Sequence, residues 1–422
     1  YSALFYPSES LMSVHKPTDP DEQFLTKMQF GLLIGGLLTT AIGQSFIFAI
    51  LPPLGRDVGF NELQINLLIS SSALVFSLAS AVWGRISDRI GRKPVIMAGL
   101  VGYAVGNLCF TLVFDAAMRG WLSGLPLLAA ALAVRCSQSV VMSATNPGTG
   151  AYAADYSQPQ HRTRTLAKLG TANSLGMIIG PILAGALAGL GLLFPLYTAT
   201  ALATVAVIAI ACFLPGDKPL SGIHKDQKKL ALLDPRVRAL LLCSATAFTG
   251  FAGIQQTLAF RLQDMLSLTG TETAQHMGIC LMAAALMSLT MQLTVAQRFN
   301  GLPIVLLRFG VGMMLLGSLI VAIAGSFLGI LAAMACMGAG LGLAAPAIAA
   351  GASLAVTPQE QGSVAGLVNA FPAAGFVLGP TICGTLYTFN PTYSALGASV
   401  MLTIALMTAL SGSGFRRRNR FR

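Results

Sequence analysis

Twelve times along this chain an apolar run continues for about 20 residues, long enough for a helix to cross the ~30 Å hydrocarbon core of a bilayer. The runs lie near 28–52, 63–84, 94–114, 122–147, 166–190 and 194–214, then near 238–260, 275–296, 303–325, 328–352, 363–388 and 393–411. A bilayer interior offers no water to the backbone, so a single continuous segment must satisfy itself as a helix. A transmembrane barrel is excluded, because its short strands alternate apolar and polar residues. Only 10% of the 422 residues are charged and 55% are hydrophobic. Soluble domains average roughly a quarter charged residues, and disorder needs still more polarity. The expected fold is an all-α polytopic membrane protein, with twelve transmembrane helices in two pseudo-symmetric six-helix bundles. The 45 glycines suit close helix packing.

The net charge of +11 is placed as a topology signal. Even-numbered loops carry Arg85, Arg89, Arg92 and Lys93, then Arg162, Arg164 and Lys168, then Lys218, Lys225, Lys228 and Lys229, then Arg298. The tail FRRRNRFR adds five arginines, whereas the odd loops offer little beyond Arg56 and Arg119. Both termini and the central loop are therefore expected in the cytoplasm, with the chain in a bacterial inner (plasma) membrane. Basic residues in short loops do not make a nucleic-acid surface, and the tail also suits acidic lipid. Residues 1–26, with Pro7, Pro17 and Pro20, lack the apolar core of a signal peptide and read as a cytoplasmic tail. Residues 215–237 are the one long polar interruption, separating bundles at 27–214 and 238–412, and 413–422 form a basic tail. The seven cysteines lie in apolar runs without a C-x-x-C pair, and no H-E-x-x-H occurs, so no metal or cofactor is expected.

The halves echo each other. A shift of 199 residues carries Pro147 onto Pro346, Gly176 onto Gly375, Gly180-Pro181 onto Gly379-Pro380 and Gly185 onto Gly384. The shared spacing G-x-x-x-G-P-x-x-x-G exceeds what frequent glycine alone produces. Repeated six-helix halves with a midplane site between them are a common plan of secondary transporters.

Between the second and third runs stands Gly84-Arg-Ile-Ser-Asp88-Arg89-Ile-Gly91-Arg92-Lys93. Gly84 and Gly91 permit a tight turn and close helix approach. Asp88 can accept from a helix N-terminus, and the basic residues can form charge-assisted pairs. The loop resembles the signature G-x-x-x-D-R-x-G-R-R/K of the major facilitator superfamily, and the resemblance extends over 27–412. It implies that Asp88 meets the eleventh helix in an outward-open state. It also implies that Asp155, followed by Arg162 and Arg164, joins a charge relay as a gate residue. The second-half counterpart, Gln297-Arg298-Phe-Asn-Gly301, is degraded.

Two further motifs carry the resemblance. Arg135-Cys-Ser-Gln138-Ser139 is similar to the R-x-x-Q-G pattern of the family's proton antiporters, with Ser139 in place of glycine. That pattern links the arginine to proton transfer. A charge inside a span is costly and marks function by default, and Gln138 shares its helix face. The alternative is a snorkelling side chain, which is uncomfortable about 18–20 Å from either end of the helix. Gly176-Met-Ile-Ile-Gly180-Pro181-Ile-Leu-Ala184-Gly185 resembles the antiporter motif G-x-x-x-G-P-x-x-G-G, with Ala184 replacing a glycine. Its glycines allow close packing and its proline bends a helix. In the family it marks exporters.

Uncharged polar residues recur inside the runs: Thr40, Gln44, Asn146, Asn173, Gln255, Gln256, Gln292 and Asn369. Phe48 shares the face of Thr40 and Gln44, and Phe260, Phe371 and Phe376 offer apolar walls. Together they describe a neutral, amphipathic pocket; the alternative reading of each is a helix–helix hydrogen bond or a packing contact. No acid lies in the middle of any run; Asp57, Glu62, Asp155 and Asp264 sit near the ends. Arg135, Gln138 and Asp264 are the candidates for proton coupling, with a structural ion pair as the other reading of Asp264. The expectation is a monomeric secondary transporter similar to the tetracycline-type drug–proton antiporter branch. It exports an amphipathic organic compound, drug-like or a secreted metabolite such as a siderophore, by alternating access. The alternatives are a proton-driven importer or uniporter of a small metabolite and a non-transporting membrane sensor. No nucleophile–base constellation suggests an enzyme.

Overall fold

The computed structural model describes residues 25–157, 162–216, 230–299, 301–357 and 360–411. The N-terminal tail through 24, most of the central loop, the tail arginines and the side chains of Arg162 and Arg164 lie outside the described residues. The first bundle holds α1 (Lys27–Asp57), α2 (Glu62–Ile90), α3 (Arg92–Met118), α4 (Gly124–Met142), α5 (Thr145–Asp155), α6 (Arg162–Ala188) and α7 (Phe194–Phe213). The second holds α8 (Arg238–Leu266), α9 (Gly270–Met291), α10 (Pro303–Ile323), α11 (Phe327–Leu354), α12 (Gln361–Phe389) and α13 (Pro391–Ser411). A π-helical turn, Gln292–Ala296, continues α9.

Among the described residues eleven spans are long and apolar enough to cross a bilayer, with α4 and α5 forming one of them. The twelfth is α8, which carries Gln255, Gln256, Arg261, Gln263 and Asp264. Its residues from Thr249 to Phe260 are all buried. A helix enclosed by other helices needs no lipid-facing surface, so it tolerates polar side chains that a peripheral span does not.

The packing repeats. In the first bundle α1 packs on α6 and α7, α3 on α4 and α7, and α2 on α4; in the second α8 packs on α12 and α13, α10 on α11 and α13, and α9 on α11. Between the bundles α6 meets α9 and α2 meets α12, which are equivalent pairs. The repeat read from glycine and proline is therefore a repeat of helix neighbours.

Three boundaries differ from the apolar runs. The run at 122–147 is broken: α4 ends at Met142 and α5 resumes at Thr145, continuing to Asp155. Pro147 explains the break, because it lacks a backbone donor and its ring crowds the carbonyl of Ser143. Helix α2 continues through Asp88 and Arg89 to Ile90, so Gly91 alone makes the turn, at φ +97°. Helix α8 reaches Leu266 and brings Asp264 into its last turns.

Candidate functional site

The contact between bundles is set by where side chains are missing. A Cβ at Gly176 of α6 would stand 2.5 Å from Ala41 Cβ, and one at Gly180 would stand 2.9 Å from Ile42 O, both on α1 of the same bundle. Gly185 instead faces α9 of the other bundle, 3.3 Å from Gln275 Cα. Helix α12 does the same. A Cβ at Gly375 or Gly379 would stand 2.7 Å from Thr249 N or 2.5 Å from Thr249 O on α8, whereas Gly384 faces Asn66 of α2. Two glycines seat each helix in its own bundle, and the third lets it meet the other bundle. Gly278 of α9 completes the contact, its Cβ position 2.6 Å from Pro181 O. Helices α6 and α12 run through Pro181 and Pro380 without interruption.

At the same end a charged latch joins the bundles. Arg56 of α1 donates Nη1 to Asp264 Oδ1 at 2.5 Å and Nη2 to Asp264 Oδ2 at 3.1 Å, both across to α8. It also donates to Gln263 at 3.2 Å and to Glu62 of α2 at 2.5 Å. Tyr387 of α12 donates to Asp264 Oδ2 at 2.5 Å, and the guanidinium lies 4.8 Å from the centroid of Phe260. Thr381 of α12 donates to Ser70 Oγ of α2 at 2.9 Å, a second tie from one bundle to the other. The sequence marks Arg56 and Asp264 separately but not as a pair.

At the opposite end, which bears the 84–93 loop, the ion pairs among the described residues form two separate clusters. Arg92, 5% exposed, donates Nη1 to Asp88 Oδ1 at 2.6 Å and to Ser87 Oγ at 3.2 Å, and Nε to Asp155 Oδ2 at 2.9 Å. Lys93 donates to the carbonyls of Ala211 and Leu214 at the C-terminus of α7, where a cation is favoured. Arg89 is exposed. Gly84 has nothing within 4 Å of its Cβ position, so the expected close approach is not made there. Asp88 accepts from Arg92 rather than from the start of α12. Just before the second bundle Arg236 donates to Asp234 at 2.9 Å and to Glu360 at 2.8 and 3.0 Å. The Arg236 hydrogen bonds hold the Glu360 carboxyl down to about 2 and keep Asp234 below its usual range. Sequence reasoning misses this cluster, whose only local signal is the Asp-x-Arg at 234–236.

Between the two ends lies a cavity of about 310 Å³. Its wall includes Thr40, Gln44 and Phe48 of α1, Ser72 and Phe76 of α2, Asn146 of α5, and Asn173 and Met177 of α6. The second bundle contributes Ala373 and Phe376. Phe376 lies 6.2 Å from Phe48 and 6.2 Å from Phe248, ring to ring, and so bridges the bundles. Thr40 is occupied with the carbonyl of Leu37 at 2.9 Å, while Gln44 lies 3.9 Å from Met142 Sδ.

Arg135 and Ser139 of α4 also line the cavity. The Arg135 side chain donates Nη1 to Gln138 Oε1 at 2.7 Å, lies 5.7 Å from the Phe110 centroid, and keeps Nε buried without a hydrogen-bond partner. Gln138 in turn donates to the carbonyl of Tyr103 at 3.4 Å. None of the lining residues is acidic. Five of the nine cavity candidates read from the sequence, Thr40, Gln44, Phe48, Asn146 and Asn173, are thus brought together. The second-bundle candidates are not in this wall. Gln255 and Gln256 are buried in α8, Gln292 bonds Ser288 Oγ at 3.2 Å, and Asn369 is exposed on α12. Asp264 belongs to the latch, away from Arg135. Ser72 and Ser139 escape a sequence reading as wall residues because small hydroxyls are common throughout apolar helices.

Comparison with known proteins agrees with this architecture. The family model described as Major Facilitator Superfamily matches residues 33–380. Multidrug resistance protein 1 of Bacillus subtilis (strain 168) is 24% identical over 393 residues, covering 90% of this chain and 95% of that protein. Tetracycline resistance protein, class H, of Pasteurella multocida is 24% identical over 377 residues, covering 84% and 87%. A solved bacterial homologue of the human lysosomal transporter Spinster, inward-facing and unoccupied, shares the fold with a TM-score of 0.72 at 16% identity, covering 92% of this chain and 97% of that one.

Proposed function

The chain belongs to the Major Facilitator Superfamily, and on that premise we propose that it exports an amphipathic organic compound by alternating access, in exchange for protons. A drug-like molecule or a secreted metabolite such as a siderophore fits the cavity's mix of aromatic rings, amides and hydroxyls. The observation that carries the reading is the one-sided contact between bundles: glycine seats and an ion-pair latch at one end, separate charge clusters at the other, and a cavity between. The basic residues of the 84–93 loop orient that end to the cytoplasm, with both termini on the same side. The cavity then faces inward, ready to load. Relatives named for multidrug and tetracycline resistance support export.

In this reading a monomer of two bundles, 27–214 and 238–412, rocks about the cavity. Opening to the outside breaks Arg56–Asp264 and parts α6 from α9 and α2 from α12. Closure inside brings α12 toward the gate residues Gly84, Asp88, Arg89, Gly91, Arg92 and Lys93, with Asp155 and Arg162 behind them. Asp88, 49% exposed at its side chain, retains an open side for that partner. Asp264 is the proton-coupling group at the latch, because a protonated Asp264 loses its charge attraction to Arg56. Arg135 with Gln138 is the coupling pair at the cavity. Uniport is the second reading, favoured by the lack of an acid in the cavity wall.

The test is proton flux in everted vesicles under an acid-inside gradient, with a panel of drugs and siderophores. The proposal expects a compound that collapses the gradient with the native protein but not with Arg135→Ala or Asp264→Asn. Labelled uptake that persists unchanged without the gradient makes the protein a uniporter; binding without flux makes it a sensor.

A further inference from the structure

The cavity wall carries a charge that nothing in the wall answers. Arg135 is 6% exposed. Its nearest side-chain partner is the neutral Gln138, and its buried Nε has no acceptor. By contrast Arg56, Arg92, Arg119 and Arg236 each pair with at least one carboxylate. A guanidinium held out of water without a counter-charge is costly, and a bound anion offsets that cost. Its planar fork matches a carboxylate better than any other side chain does. The same wall holds the rings of Phe48, Phe76 and Phe376, which suit an apolar body. A lone cation with no acid near it also repels cationic ligands.

We infer that Arg135 anchors the anionic head of the substrate, and that the exported compound is an amphipathic monoanion, a carboxylate on an aromatic or acyl body, rather than a lipophilic cation. The inference rests on the export reading and deepens it by naming the substrate's charge. It also gives Arg135 its part in coupling, because the charge that neutralises the guanidinium arrives with the substrate. Ser139, one turn along α4 and in the same wall, marks where an acid in the chain itself would replace that charge.

The test uses three probes with one ring system: 1-naphthylacetate, its neutral amide, and 1-naphthylethylamine. Binding is measured on the purified protein and uptake in everted and right-side-out vesicles. The carboxylate should bind at least about tenfold more tightly than the amine, the usual scale of one charge-assisted hydrogen bond. Arg135→Gln should lower carboxylate affinity about 10- to 100-fold and leave the amide nearly unchanged. Arg135→Lys should retain part of it. Ser139→Asp should weaken the carboxylate and favour the amine. The native selectivity and Ser139→Asp decide the matter even if Arg135→Gln fails to fold. Equal or tighter binding of the amine, no binding of the carboxylate, or unchanged selectivity in Arg135→Gln overturns the anion assignment. Uptake of the amine alone by everted vesicles sinks the anchor and leaves export standing. Carboxylate uptake confined to right-side-out vesicles sinks export and leaves the anchor.

Discussion

Among the described residues three arginines each hold two carboxylates, and they differ in who owns the acids. Arg92 takes Asp88 and Asp155 from its own bundle. Arg236, at the end of the central loop, takes its neighbour Asp234 and Glu360 of the adjoining second bundle. Arg56 takes Glu62 from its own bundle and Asp264 from the other. The first two clusters can travel with their helices unchanged, so their energy goes into the fold of one half. The third cannot survive a relative movement of the halves, so its energy goes into the choice of conformation. Similar chemistry thus yields a brace or a latch according to topology alone.

The sharpest way to break this distinction is Arg92→Ala. It leaves Asp155 and Asp88 without their cation and empties the place of a side chain that is itself buried. A loss of about 2 kcal/mol in stability is expected from the lost packing and pairing of Arg92, read as an earlier thermal transition in detergent with inter-bundle distances unchanged. A shift in those distances at unaltered stability would make Arg92 a latch too. Next comes Gly278→Leu, which drives a side chain toward Pro181 O. It should hold the latch end apart without touching a charge, and transport should drop at least about tenfold. Spin labels on α6 and α9 should report the wider separation.

Asp264→Asn should act more gently, since the pair is partly exposed. The expected loss is about 1 kcal/mol, and the closed population should fall several-fold. Labels at the latch end should see the change, while the melting of each bundle hardly moves. The smallest effect belongs to Glu360→Gln in the exposed Arg236 cluster. The folded pKa of Glu360 lies below its unfolded one, so its contribution is complete above the ordinary carboxylate range and lost as pH falls toward about 2. The difference in melting between native and variant should stay small and flat from about pH 8 to about pH 5, and vanish in stronger acid. A dependence that grows toward neutral pH would contradict that assignment.

Much of the fold is legible because bilayer thickness imposes a length on every helix, and glycine spacing survives as a repeat. Even α8 can be counted from its apolar run, although Arg261 and Asp264 dilute it. Contacts across the bundles are another matter. Arg56 and Asp264 are 208 residues apart and Arg236 and Glu360 are 124 apart, and no helical period relates them. The cavity is half legible for a related reason. A polar residue such as Gln256 looks the same in a sequence whether it faces water or is enclosed in α8. Only the neighbours, fixed by the whole topology, separate the two cases. The break before α5 is hidden although Pro147, its cause, stands in plain view, because the apolar run continues across it.

The cavity wall draws sixteen of its eighteen residues from the first bundle, with only Ala373 and Phe376 from the second. The halves share an architecture and divide the labour, one serving as a cup and the other as a lid. If the halves rock as proposed, a compound seated in the cup stays with it as the lid moves away, so the site need not be dismantled for release. Substrate preference then becomes heritable through one half of the coding sequence. A chimera that keeps the first bundle and borrows a relative's second should keep the cargo of the first, while its speed and its conformational preference follow the newcomer.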